Sequence, residues 1–256
     1  MNSNNLQTIY VMWLREMKRF LRAKSRIIGT LAMPFFFLIS MNFGLSPSFN
    51  LMGLPPNARY IDFLVPGIIG MTMLFTSMFA GISVLWDKEF GFLKEIMVAP
   101  VRRSAIVLGR IAGGVTTSLI QGFLILIMSL FMGFKIANPL GLIFALVLMC
   151  LISAGFIGLG IALASVMEDT QGFSLIVNFI IFPTFLLSGA LFPLTNLPSW
   201  LKAVTYVDPL VYGVDGLRAS LIGFSQMSLF LDVVILLVFD FLMVSLGAWL
   251  FSKTEV

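Results

Sequence analysis

Histidine is absent from this chain of 256 residues, and cysteine occurs once, at Cys150 inside an apolar run. The first absence removes a histidine base and a histidine metal ligand; the second removes any intrachain disulfide or thiolate cluster. A seryl nucleophile would have only lysine as its base, and the lysines sit in loops or at the interface. No G-x-x-x-x-G-K-[ST] phosphate loop occurs, so no self-contained site for nucleotide phosphates is legible. Charge is scarce too: 11% of residues are charged, against roughly 25% in water-soluble domains. Internal repeats, inverted halves and low-complexity linkers are missing, which implies one domain over residues 1–256.

What remains is apolar. Hydrophobic residues make up 59% of the chain, and the mean hydropathy is +1.03. Several continuous runs exceed the ~18 residues that suggest a spanning helix, and they lack the short alternating segments of a membrane barrel. The fold class is therefore all-α, a polytopic membrane protein with six transmembrane helices. The spans are placed at residues 27–45, 63–86, 104–133, 140–167, 172–192 and 229–251. Pro34 and Pro183 are expected to bend the first and fifth of these. A polar segment with Pro47, Pro55 and Pro56 joins the first two spans. The third is longer than needed, so its first turns, as far as Arg110, are expected to project into water.

Ahead of the first span, residues 6–24 carry apolar side chains at Leu6, Ile9, Tyr10, Trp13, Leu14, Met17, Phe20 and Leu21. Arg15, Lys18, Arg19 and Arg22 fill the other faces. This is the pattern of an amphipathic helix in the membrane interface, either a simple anchor or an elbow that transmits force. Placing the N-terminus in the cytoplasm puts twelve of the sixteen basic residues inside, as the positive-inside rule requires, with both termini cytoplasmic in a cell (inner or plasma) membrane. The net charge of +4 is thus spent on orientation and anionic headgroups of the lipid bilayer, and no nucleic-acid partner is implied.

The densest charge between two apolar runs lies in W-D-K-E-F-G-F-L-K-E-I-M-V-A-P-V-R-R-S-A-I-V-L-G-R, residues 86–110. Asp87 to Val98 can form a short helix with Phe90, Leu93, Ile96 and Met97 on its apolar side; Pro100 disfavours helix at Ala99 and so ends it. Gly91 would permit close approach of another backbone. A bilayer-surface helix and a docking element fit this pattern equally. On the other side, residues 193–226 hold two pieces too short to span, Leu194–Tyr206 and Leu210–Ile222. They suggest an extracellular re-entrant region, tolerated at depth only where protein covers it, or a surface loop with aromatic anchors.

Two aspartates lie in the sixth span, where a carboxylate asks for a reason. Asp232, near the outer end, can reach headgroups. Asp240 is deeper and is expected to serve packing or line a path, with proton coupling as the alternative. Polar positions within spans two and five, namely Thr72, Thr76 and Ser77, then Asn178, Thr184 and Ser188, are either pathway lining or interhelical glue.

In this order and topology, E-F-G-F-L-K-E-I-M-V-A-P-V-R-R-S-A-I-V-L-G-R, Y-I-D-F-L-V-P-G at 60–67 and F-P-L-T-N-L-P-S-W-L with D-P-L-V-Y-G-V-D-G-L-R at 192–218 resemble the type-2 ABC transporter permeases. The likeness is closest to the drug-exporter subgroup related to daunorubicin-resistance permeases and covers nearly the whole chain. It implies a non-enzymatic membrane subunit, working as a homodimer with two separate ATP-binding subunits that hold ATP and Mg; no cofactor belongs to this chain. By the same resemblance, residues 6–24 match the connecting helix and residues 87–100 the coupling helix. Asp87, Glu89, Gly91, Leu93, Glu95 and Pro100 would then act in ATPase coupling, with Glu168 and Asp169 as a second contact. A hydrophobic, drug-like or lipid-like substrate would pass between two copies along Thr72, Thr76, Asn178, Thr184 and Ser188. A proton-coupled transporter using Asp240 and a non-transporting scaffold or sensor are the competing classes.

Overall fold

A computed structural model describes residues 3–45, 59–98, 100–137, 139–194 and 197–254. Among them are eleven helices and no strand. They are α1 (Ser3–Arg22), α2 (Lys24–Leu45), α3 (Tyr60–Ala80), α4 (Ile82–Glu89), α5 (Phe92–Val98), α6 (Arg103–Phe131), α7 (Gly141–Val166), α8 (Thr170–Leu187), α9 (Ser199–Thr205), α10 (Pro209–Ile222) and α11 (Leu229–Lys253). The proline-rich stretch 46–58 lies outside the described residues, as do Ala99, Thr195, Asn196 and the side chain of Met97.

Six helical segments are long and apolar enough to cross a membrane: Ile27–Gly44, Tyr60–Glu89, Arg103–Phe131, Gly141–Val166, Thr170–Leu187 and Leu229–Lys253. The six-span architecture read from hydropathy is the one found. The second span is made of α3 and α4, which meet at Gly81 without leaving helical geometry (φ −58°, ψ −29°). Helices α2 and α8 run on through Pro34 and Pro183.

The packing is centred on α7, which touches α3, α6, α10 and α11. Lipid tails supply no hydrophobic drive between helices, so close backbone approach by small residues has to hold them. Gly81 of α3–α4 faces the Gly160 backbone of α7 so closely that a Cβ would collide with it. Gly158 of α7 meets the Met243–Val244 backbone of α11, and Gly247 of α11 returns the contact to Gly158. By contrast α11 turns Phe230, Leu237, Val238, Phe241 and Trp249 outward, a face suited to lipid.

With fourteen residues, α10 is too short for a ~30 Å hydrocarbon core, yet nearly all of it is buried among α3, α7 and α11. Its ends are encoded locally. Asp208 accepts from the Leu210 N–H at 2.9 Å, Pro209 opens the first turn and Gly223 closes the helix at φ 70°. Burial pushes the Asp208 carboxyl up to about 7, although the Leu210 N–H pulls the other way. Arg218 of α10 donates to the carbonyls of Gly189 (2.6 Å) and Phe63 (3.3 Å) and sits 3.7 Å over the Phe63 ring.

Asp232 departs from expectation. It does not reach headgroups: its residue is fully buried at the α10–α11 contact, beside Gly216. The outward-pointing reading assumed that position along the span sets exposure, whereas here rotation of α11 toward α10 does. Asp240 packs against Gly155 of α7, a place consistent with the packing reading.

Candidate functional site

The most charged part of the fold lies where α1, α4, α5 and α6 converge. Asp87, in the last turn of α4, is 2% exposed. Its carboxylate accepts a hydrogen bond from Arg110 Nη2 of α6 at 2.5 Å and another from Arg15 of α1, with Arg19 Nη2 3.7 Å away. Arg110 is itself 3% exposed and also donates to Ser83 Oγ at 3.2 Å. A buried carboxylate persists only when paired and hydrogen-bonded, and here three guanidinium groups from two other helices supply that. Rings complete the clasp: Arg15 lies 4.6 Å over Phe92 and Arg19 5.3 Å over Trp86.

Glycine lets α1 come this close. A Cβ at Gly109 would strike Met12 and the Ile9 backbone, and one at Gly113 would strike the Glu16 side chain. Trp13 Nε1 donates to Thr116 Oγ1 at 3.0 Å. The Arg15–Arg19 side of α1 therefore faces protein, while Leu6, Tyr10 and Leu21 are exposed. Arg110, expected in water, is instead the buried partner of Asp87; an arginine so far inside a span is held by a countercharge, not by projection.

Next along the chain, the single helix expected over Asp87–Val98 is two. The α4 helix runs to Glu89, the chain turns at Phe90–Gly91, and α5 starts at Phe92. Gly91 has φ +72°, in the left-handed region. A Cβ there would meet nothing within 4 Å, so conformation and not close approach requires the glycine. Phe90 consequently leaves the apolar side and is 81% exposed, while Leu93 is fully buried and pins α5 to the bundle. Glu89, Lys94, Glu95 and Pro100 are exposed.

Glu168 and Asp169 are exposed as well, and Asp169 caps α8 by accepting from Gly172 N–H at 2.6 Å. Their turn and α5 share one end of the bundle because Lys88 ties them. Its ammonium donates to the carbonyls of Ala164 (3.3 Å), Ser165 (2.9 Å) and Met167 (3.1 Å), the open C-terminal end of α7. The C-terminal end of α11 joins the same face through Arg103, which donates to the Ser252 carbonyl. Of the eight residues singled out for coupling, five (Glu89, Gly91, Glu95, Glu168 and Asp169) together with Pro100 are exposed at this end, and Asp87 and Leu93 are internal.

The polar positions of spans two and five are not brought together into one line. Thr72 bonds back to the Ile68 carbonyl (2.8 Å) and Ser188 to that of Phe185 (2.7 Å), both buried. Thr76 donates to Gln121 Oε1 of α6 at 2.7 Å, and Ser77 pairs with Ser118 Oγ at 3.2 Å. Asn178 and Thr184 are half-buried on α8. Sequence reading missed Arg15, Lys88, Ser83 and Gln121 as members of the site. For Arg110 a signal existed, a cation seven residues into a span; for Arg15 none did, because its partner lies 72 residues away.

Residues 7–222 match the sequence model of the ABC-2 type transporter family, most of the chain. The chain belongs to that family. This ABC-2 permease is 29% identical to the inner membrane transport permease YadH of Escherichia coli K12 over 233 residues, 89% of this chain and 88% of YadH. It is 33% identical to the ycf38 protein of Porphyra purpurea over 164 residues, 63% of this chain and 56% of that one. ABC transporter G family member 20 of Dictyostelium discoideum is 29% identical over 167 residues, which are 22% of that longer protein. The family anticipated from the residues is thus the family found, and the permease is a membrane protein of transport rather than an enzyme.

Proposed function

We propose that this permease is the membrane subunit of an ATP-driven exporter, with ATP and Mg held by two separate ATP-binding subunits and a hydrophobic, drug-like or lipid-like substrate moved outward across the cell membrane. The single observation that supports it best is the build of α5. It is a short helix hung between two spans, with Leu93 fully buried, Lys94 and Glu95 exposed, and Glu89 exposed at the end of α4 just before it. An ATP-driven closing motion needs a handle that is rigid toward the membrane and open toward the motor.

In this reading the span of residues 87–100 is the coupling element and the whole chain one domain. Glu89, Glu95, Pro100, Glu168 and Asp169 touch the ATP-binding subunit. Gly91 sets the angle of α5, and Leu93 and Asp87 carry force inward, Asp87 toward α6 and toward α1 as the connecting helix. The positive-inside bias places this end and both termini in the cytoplasm, leaving residues 193–226, with α10, as the extracellular re-entrant region. Two copies form a homodimer, and substrate passes between them along the α3 and α8 faces, past Thr76, Asn178 and Thr184. Thr72 and Ser188, bonded within their own helices, support that wall from behind. The drug-exporter subgroup fits because α8 otherwise exposes large apolar side chains, Leu175, Phe179, Phe182 and Leu186. The test is reconstitution of the chain with its ATP-binding partner in liposomes. ATP-dependent movement of a fluorescent amphiphile is expected; movement driven by a proton gradient without ATP would overturn the reading.

A further inference from the structure

A cavity of about 330 Å³ lies between α1, α2, α3, α4, α6 and α7. Arg19, Arg110, Glu16 and Gln121 are among its polar walls, with Phe20 and Trp86 among the apolar ones. Arg110 is 3% exposed, and its Nε has no hydrogen-bond acceptor among the described residues. Arg19 Nη1 and Arg15 Nη1 are further buried donors without an acceptor, and Glu16 Oε1, 3.9 Å from Arg19 Nη1, is a buried acceptor without a donor among the described residues, so unmet donors outnumber it. Around this space three guanidiniums (Arg15, Arg19, Arg110) meet two carboxylates (Asp87, Glu16), one positive charge in excess.

Unmatched positive charge and unmet N–H donors inside a helix bundle are costly and are relieved by an anion. The surrounding aromatic and aliphatic walls reject a small hydrated ion and accept hydrocarbon. The volume is near the lower end for ligand sites, enough for a headgroup and the start of its chains but not for a whole lipid. Beside it, α1 exposes Leu6, Tyr10 and Leu21, the side chains of a helix that lies at a bilayer interface. We propose that this cavity binds the anionic, phosphate-type headgroup of an amphiphile drawn from the bilayer. Occupancy needs no ATP-binding partner, so the inference goes beyond the export reading and stands or falls apart from it.

Trp86 in the cavity wall is its reporter. In a variant retaining only Trp86 (Trp13→Phe, Trp200→Phe, Trp249→Phe), the fluorescence should be quenched by brominated phosphatidylglycerol at about fivefold lower mole fraction than by brominated phosphatidylcholine, the advantage roughly expected of one basic residue near an anionic lipid. Arg19→Gln should abolish that preference. So should Ala80→Leu, which fills the cavity without touching a charge and serves if the arginine variant does not fold. A variant retaining only Trp200, which is 70% exposed on α9 away from the cavity, should show no preference. Equal quenching by the two lipids at Trp86, or an equal preference at Trp200, would overturn the proposal. Relief of quenching by glycerol phosphate added to the aqueous phase would assign the site to a soluble phosphate and overturn it as well.

Discussion

At the scale of residues, Asp87 is the decisive group. It joins α4 to α6 through Arg110 and to α1 through Arg15. Removing one member of a buried ion pair strands the other charge and costs about 3–5 kcal/mol, whereas replacing both with apolar groups of similar size is often near neutral. Asp87→Leu and Arg110→Met should therefore each lower the unfolding temperature strongly in detergent, followed by tryptophan fluorescence. The double variant should recover part of the loss, Arg15 still lacking its carboxylate; additive losses would show that the pair is not coupled. Asp240 makes the opposite case. Its carboxyl packs on Gly155 of α7, so Asp240→Asn, nearly isosteric, is expected to leave transport unchanged. A loss of transport with its dependence on a proton gradient would restore the proton-coupled alternative. These roles divide by what a sequence can display. That Asp87 and Arg110 are charges in apolar surroundings is visible in the residues themselves, but their pairing depends on which helices touch. A neighbour 72 positions away leaves no local mark, and neither does the rotation of α11 that buries Asp232.

At the scale of elements, hydropathy located the six spans to within a few residues at most boundaries, because a run of apolar side chains is a local property. The inner boundary of the coupling region was less legible. A continuous amphipathic pattern from Asp87 to Val98 suits one helix, and only the left-handed backbone of Gly91 divides it into α4 and α5. An L-residue there costs roughly 1–2 kcal/mol, less for asparagine, which visits that region more readily than most. Gly91→Val should thus impair coupling between ATP hydrolysis and transport while Gly91→Asn retains most of it, read as molecules moved per ATP hydrolysed. Equal coupling in both variants would remove the turn from the account. For α10 the start was legible in Asp208 and Pro209, while its half-apolar sequence left a protein-covered helix and a surface loop open; it becomes a packed interior helix because α3, α7 and α11 close around it.

At the scale of the whole molecule, charge is densest at one end of a largely apolar bundle. There α5, the Glu168–Asp169 turn, α1 and the C-terminal end of α11 come together through Asp87, Lys88 and Arg103. Lys88 gives this end its continuity, since its three bonds place the two exposed acidic patches on a common face. Such a face is what an external motor would need, and the central claim is that an ATP-binding subunit docks on it. The most direct measurement is transport and ATP hydrolysis by the complete complex in liposomes, with Glu89→Arg and Glu95→Arg each compared with the unaltered chain. Both side chains are exposed. Charge reversal should leave the permease folded but remove its stimulation of ATP hydrolysis and at least about tenfold of the transport rate, the effect of losing ~1.4 kcal/mol at the interface. Unchanged hydrolysis and unchanged transport in both variants would contradict docking at α5.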